Sequence, residues 1–197
     1  MFKPFHILII SLVILHPAYA SNNTDQSDSK IATLAKQGTA AAQDQIGVLY
    51  AEGQMVAQDY NKALKWFRLA AKQGYARAQY HLGDMYYHGY GVPKNHQKAF
   101  GWYELAANQG HANAQLMLGW MYDEGLGVPK NVQQALKWFR LAAKQGYARA
   151  QYHLGDMYYD GYGVPKNHQK AFGWYELAAN QGHANAQLML GWMYDEG

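Results

Sequence analysis

Cysteine is absent from the 197-residue chain. That excludes disulfides, thiolate metal ligands, a cysteine nucleophile and a lipidated N-terminal cysteine together. Charge is sparse as well: Asp, Glu, Lys and Arg make up 16%, with a formal net charge of +3. No concentrated basic face follows from that balance, so nucleic acid is not an expected partner. Long apolar runs are missing too. The longest, Ile7–Leu15 (ILIISLVIL), is well short of the roughly 20 residues a helix needs to span a bilayer. What the chain does have is apolar surface: 49% hydrophobic residues and 15% aromatics, with 17 Tyr and 6 Trp. Such a chain can offset its ordering entropy, which rules out wholesale disorder. Its length suits one ordinary domain or a short repeat array.

The first twenty residues read as an address. Lys3 and His6 precede the apolar run, and His16, Pro17 and the small-residue pattern Ala18-Tyr19-Ala20 follow it. A basic start, a short apolar stretch and an A-x-A site are the parts of a secretory signal peptide. The expected cut lies after Ala20, leaving a chain that begins at Ser21 and works in the periplasm or outside the cell, with no membrane span once the signal is removed. The alternative, a membrane anchor, is disfavoured by the length of the run. The lack of cysteine fits an exported protein that does not depend on oxidative folding. Residues 21–30 (SNNTDQSDSK) carry no large apolar side chain and read as a flexible lead-in.

The remainder, residues 31–197, is one unit repeated. Gly38, Gly74, Gly110, Gly146 and Gly182 fall 36 residues apart, as do Gly47, Gly83, Gly119, Gly155 and Gly191. The pairs Ala42-Gln43, Ala78-Gln79, Ala114-Gln115, Ala150-Gln151 and Ala186-Gln187 keep the same step. A fixed period of this size means a stacked array. A second period lies on top: Ala63–Gly125 and Ala135–Gly197, offset by 72 residues, differ only at His88 versus Asp160. Within one period, Ala78, Leu82, Met85 and Tyr86 share a face, which predicts an amphipathic helix A over Ala76–His88. Gly89-Tyr90-Gly91-Val92-Pro93-Lys94 breaks it. Asn95 is placed to cap a helix B from about His96 to Gln109, with Asp59, Asn131 and Asn167 in the equivalent places. Ala99, Trp102, Tyr103, Ala106 and Ala107 form its packing side, and Gly110 takes the C′ position. A single helix pair cannot bury its apolar faces alone, so the pairs must stack into a solenoid.

The pattern A-x-A-Q-x-x-L-G-x-M-Y-x-x-G-x-G-V-P-K-N-x-x-K-A-x-x-W-Y-x-x-A-A-x-Q-G over Ala76–Gly110 resembles the Sel1-like repeat, a relative of the tetratricopeptide repeat with a slightly longer A–B loop. The resemblance covers essentially all of residues 31–197, divided into full repeats 38–73, 74–109, 110–145 and 146–181. Residues 31–37 read as the end of a capping helix, and residues 182–197 as a half repeat that suggests a fragment of a longer protein, the alternative being a natural half-repeat cap. The resemblance implies an all-α, right-handed α/α superhelical solenoid acting as an adaptor for other proteins. Exported bacterial relatives serve in secretion, in exopolysaccharide regulation or assembly, and in contact with host cells. In the first repeat Met55 and Ala57 replace the loop Gly and Pro, so a differently shaped loop is expected there.

With the core positions assigned, the functional question concerns the other side of helix A. In tetratricopeptide arrays that side lines the concave groove, and helical angles of 100° per residue agree. The rungs are Arg77, Tyr80, Asp84, Tyr87 and His88, then Asn113, Leu116, Trp120, Asp123 and Glu124. The 72-residue copy repeats them as Arg149, Tyr152, Asp156, Tyr159 and Asp160, then Asn185, Leu188, Trp192, Asp195 and Glu196. Tyr, Trp and Arg are the types that most often dominate interface energy. The bland alternative is that Trp120 and Trp192 pack against the neighbouring helix A. Trp66, Trp102, Trp138 and Trp174 on helix B read as repeat core.

Catalytic and metal chemistry is not indicated. His81, Asp84 and His88 share an edge of one helix and are reasonable zinc ligands, yet the copy reads His153, Asp156, Asp160 and nothing supplies a fixed outer shell. His96, His111, His168 and His183 sit at helix starts, where local capping is ordinary. Asp123-Glu124 and Asp195-Glu196 are sequence neighbours and do not face each other on a helix. The short Gly-Tyr-Gly and Gly-Leu-Gly loops follow helices rather than strands, so no dinucleotide or phosphate loop is read from them. No metal or other cofactor is expected, and no enzyme. Cysteine-rich secreted relatives have been described as penicillin-binding or β-lactam-hydrolysing, but their cysteines are missing here. Duplicated polar residues favour an extended or multivalent ligand, such as a protein or peptide. The alternative is a cell-envelope factor that binds acidic polysaccharide or peptidoglycan through the helix B face, where Lys62, Lys65, Arg68, Lys72, Lys137, Arg140 and Lys144 lie.

Overall fold

The computed structural model describes residues 29–195. The segment expected to be a signal peptide and the first part of the expected lead-in lie outside the described residues, as do Glu196 and Gly197. A helix α1 over residues 29–37 is followed by α2 (Ala40–Glu52), α3 (Tyr60–Lys72), α4 (Ala76–His88), α5 (His96–Asn108) and α6 (Ala112–Glu124). Then come α7 (Val132–Lys144), α8 (Ala148–Asp160), α9 (His168–Ala179) and α10 (Ala184–Asp195). No strand occurs among the described residues. Each even-numbered helix A packs against the helix B that follows it, and each B against the next A, which makes the chain an all-α repeat solenoid.

Short-range chemistry sets the boundaries. Asp59, Asn95, Asn131 and Asn167 accept hydrogen bonds from the backbone N–H of Lys62, Lys98, Gln134 and Lys170 at 2.8–3.1 Å, opening each helix B. Each complete helix A ends at a left-handed glycine, such as Gly89 at φ +83°. Two packing devices then recur. Gly47, Gly83, Gly119 and Gly155 lie flat against the rings of Phe67, Tyr103, Phe139 and Tyr175, and a Cβ at Gly119 would sit 2.5 Å from the Phe139 ring. The buried glutamines are the second. Gln115 Oε1 accepts from Gln145 Nε2 at 2.8 Å, while Gln115 Nε2 donates to the Ala107 carbonyl at 3.2 Å, tying three helices together. Gln79 and Gln151 accept from Gln109 and Gln181 in the same way, both at 2.7 Å.

The first loop departs from expectation. Met55 adopts φ +66°, the same left-handed geometry as Gly91 (+66°), Gly127 (+71°) and Gly163 (+71°). The backbone at that residue is therefore conserved in shape although the glycine is gone. The later glycines meet a second demand: a Cβ at Gly91 would lie 3.0 Å from Tyr60, and at Gly127 it would strike the His96 backbone. Each of those loops abuts the start of the preceding helix B. Met55 has α1 before it instead, and its thioether lies 3.9 Å from Lys30 Nζ.

Candidate functional site

Helices α4, α6 and α8 set their exposed sides next to one another and enclose a cavity of about 390 Å³. Tyr80, Asp84, Tyr87, His88 and Tyr90 form one wall, Leu116, Met117 and Trp120 the floor and back, and Arg149 and His153 the far side. Seven of the predicted rung residues meet here. The Trp120 side chain remains 40% exposed, so it is not sealed between neighbouring helices. Trp192 is 56% exposed on α10, beside exposed Leu188 and Asn185.

Several predicted rung residues turn inward. Leu116 is only 4% exposed and belongs to the core with Leu136 and Phe139, reaching the cavity as its floor. Asp84 accepts from the Tyr103 hydroxyl at 2.6 Å, and Asp156 from Tyr175 at 2.8 Å. Burial raises both carboxyls above the usual range, while the tyrosine hydroxyls hold them down in part. These aspartates satisfy a buried phenol rather than standing free. The residue at their position in the other repeats follows the ring opposite: Val48 accompanies Phe67, and Trp120 accompanies Phe139. Asp123 accepts from Tyr162 of the next loop at 2.8 Å. Asn113 is half-buried, with its Oδ1 enclosed and lacking a hydrogen-bond partner.

The tyrosines are braced by histidines. Tyr80 stacks on His111 at 4.8 Å and Tyr152 on His183 at 4.7 Å. Tyr87 stacks on His96 at 5.1 Å, and Tyr159 lies tilted on His168 at 4.9 Å. His111 and His183 also cap their helices, each Nδ1 accepting a backbone N–H at 3.3 Å. The trio His81, Asp84 and His88 is pulled apart by such contacts. His81 stacks on Phe67 at 4.7 Å, Asp84 faces Tyr103, and His88 stacks on Tyr90 at 5.1 Å.

Sequence reasoning missed Asp44 and Met117, placed Tyr90 only in a helix-breaking loop, and weighed His153 only in the copy of a metal-ligand set. Asp44 is 1% exposed on α2, and its Oδ2 pairs with Arg77 Nε at 3.2 Å. Burial pushes its pKa up to about 6, against the pull of Arg77. His81 Nε2 lies 3.7 Å from Asp44 Oδ1, but burial, with Arg77 and His111 adding to it, lowers the imidazole to about 4. His81 is thus neutral at pH 7, and Arg77 is the counter-ion. The signal was available: Asp44 occupies the place that Tyr80, Leu116 and Tyr152 hold one, two and three periods later. On the outer face, Arg68 and Arg140 donate to Tyr86 and Tyr158 hydroxyls at 3.2 and 3.1 Å, while Lys137 and Lys144 are exposed.

The Sel1 repeat signature matches residues 40–75, 76–111, 112–147, 148–183 and 184–197. Among solved structures, c5321, a protective antigen of uropathogenic Escherichia coli strains displaying an SLR fold, is similar with a TM-score of 0.80 at 34% identity. That match covers 91% of this chain and 42% of c5321, so the chain spans about two fifths of that protein. A Sel1 repeat protein from Oxalobacter formigenes gives a TM-score of 0.79 at 36% identity, covering 90% of this chain and 74% of its own. The immunity protein Pa5087 from Pseudomonas aeruginosa gives 0.55 at 25% identity, covering 87% and 69%. No curated protein sequence matches. Sel1 repeat proteins are generally protein-interaction scaffolds rather than enzymes.

Proposed function

The chain belongs to the Sel1 repeat family, and from that premise we propose that it is an exported, non-enzymatic scaffold that binds a protein segment in the groove lined by its A helices. One observation carries the reading. In a stack whose tyrosine rungs are braced by histidines, Trp120 stays 40% exposed at the back of a 390 Å³ cavity walled by tyrosines. An exposed indole is a hydrophobic cost until a partner covers it, and Trp and Tyr are the usual anchors of such contacts. Export is supported by the Lys3, Ile7–Leu15 and Ala18-Tyr19-Ala20 pattern.

The test compares capture by the parent with capture by Tyr87→Ala/Trp120→Ala/Tyr159→Ala, after both are shown to be equally helical. A protein held by the parent and lost by the variant is the expected result. Equal capture by both overturns the groove. Salt-sensitive binding to acidic polysaccharide that survives these substitutions would assign the function to the basic face of the B helices instead. Protein recovered from envelope or medium is expected to begin at Ser21, and recovery only of intact chain in the cytoplasm overturns export.

A further inference from the structure

Arg77 and Arg149 hold the same place two repeats apart. Each is the second residue of its helix A, and each lies beside an equivalent pair of imidazoles, His81 and His111 for Arg77, His153 and His183 for Arg149. What they meet on the preceding helix A differs. Arg77 pairs with the Asp44 carboxylate at 3.2 Å. One period on from Asp44 and Tyr80 stands Leu116, so Arg149 finds a buried apolar side chain where Arg77 finds an acid. Among the described residues the Arg149 side chain makes no ion pair and no hydrogen bond. A guanidinium stays charged at any pH the protein meets, and it is shaped for a carboxylate. Arg149 opens instead onto the cavity walled by Tyr80, Tyr87 and Trp120.

We propose that Arg149 receives the side-chain carboxylate of an Asp or Glu on a partner protein segment, whose neighbouring apolar side chain lies against Trp120 and Tyr87. Asp44 is the internal template for the acid: a side-chain carboxylate, presented from a helix, on an arginine at the same register. Asp84 also lines the cavity, but its carboxylate is engaged by Tyr103 at 2.6 Å and turned into the stack. Of the lining residues Arg149 is the permanent cation. The inference rests on the groove reading above and names the chemistry that groove selects.

The probes are synthetic peptides, acetylated and amidated, that place Trp, Phe or Leu beside Asp or Glu. A second arm replaces the acid by Asn or Gln, and a third carries no acidic side chain but a free C-terminal carboxylate. Each is titrated by fluorescence anisotropy against the full chain and against Arg149→Gln, Lys144→Gln and Trp120→Ala. Acidic peptides are expected to bind, with the acid-to-amide change weakening binding about tenfold for the parent. That difference is expected to vanish in Arg149→Gln and to persist in Lys144→Gln. A purely structural role for Arg149 would not erase it. Equal binding of acidic and amide peptides, or an acid preference that survives Arg149→Gln, overturns the proposal. If Trp120→Ala still abolishes binding in that case, the groove reading stands and only the carboxylate assignment falls. Binding confined to the third arm overturns the side-chain source, because the carboxylate would then be a chain terminus. No binding in any arm overturns the inference and leaves the groove to the capture experiment.

Discussion

Tyr103 and Asp84 illustrate how a residue's role in this array depends on a partner far away in sequence. The phenol is fully buried against Gly83, and its hydroxyl needs an acceptor, which Asp84 supplies at 2.6 Å. Tyr103→Phe alone strands the buried carboxylate and should cost about 1–3 kcal/mol. Adding Asp84→Val rebuilds the pairing that the first repeat already uses, Phe67 with Val48, and the double variant should return close to the parent. Urea unfolding in a double-mutant cycle reads the coupling; a neutral Tyr103→Phe would show that the bond adds no stability. This is also where the sequence was hardest to read. Helical angles put Asp84, Leu116 and Asp156 on the open side, because on an isolated helix everything away from the apolar stripe is open. A helix A in the stack is flanked by a helix B on both sides, and that narrows the open side to residues such as Arg149, Tyr87 and Trp120. Asp44 went unread for a different cause: its pairing with Arg77 exists only across repeats.

At the scale of elements the reading was closer, since each boundary rests on local chemistry repeated every 36 residues. Helix A over Ala76–His88 and the caps at Asp59, Asn95, Asn131 and Asn167 came directly from residue types with fixed conformational uses. The first loop differs from the sequence expectation, because a missing glycine does not by itself change the backbone there. The neighbours hold the loop in place, and Met55 bears the strain of φ +66°. Met55→Gly should therefore stabilise the protein by about 1 kcal/mol, the cost of a side chain in the left-handed region less the entropy of glycine. A lower thermal midpoint for Met55→Gly would refute this. The glutamine ties make a graded prediction. Gln115 joins α6 both to its own helix B and to the preceding one, whereas Gln43 accepts from Gln73 at 2.9 Å and reaches only the Gly38 carbonyl on its other side, at 3.4 Å. Gln115→Ala should destabilise by about 1–3 kcal/mol, and clearly more than Gln43→Ala. Equal losses at the two sites would mean that the tie to the preceding helix B contributes nothing.

For the whole molecule, buried titratable groups add into one pH profile, and their signs oppose. The His81 and His153 imidazoles are lowered to about 4 from an ordinary 6.5, in both cases chiefly by burial. Between those values the unfolded chain binds the extra proton, so each histidine contributes stability that rises with pH and is lost as pH falls. Asp44 runs the other way. Raised to about 6 from 3.8, it holds a proton in the folded state that the unfolded chain releases, so its contribution declines as pH rises across nearly the same window. Asp44 and His81 therefore largely offset one another, as do in sign the lowered His111 and His183 against the raised Asp84 and Asp156, and His153 stands as a strongly lowered imidazole with no buried acid paired to it. His153 stacks on Phe139 at 5.2 Å, with Arg149 and His183 opposing its charge and Asp123 only partly favouring it. Met117 occupies the equivalent place one repeat earlier, which makes His153→Met the natural substitution. Between pH 7 and pH 5 the parent should lose roughly 2 kcal/mol more stability than His153→Met. Asp44→Asn should do the reverse and steepen the acid loss. Chemical denaturation at both pH values separates these outcomes, and superimposable profiles for the parent and His153→Met would mean that the imidazole is solvated in the folded array rather than buried neutral within it.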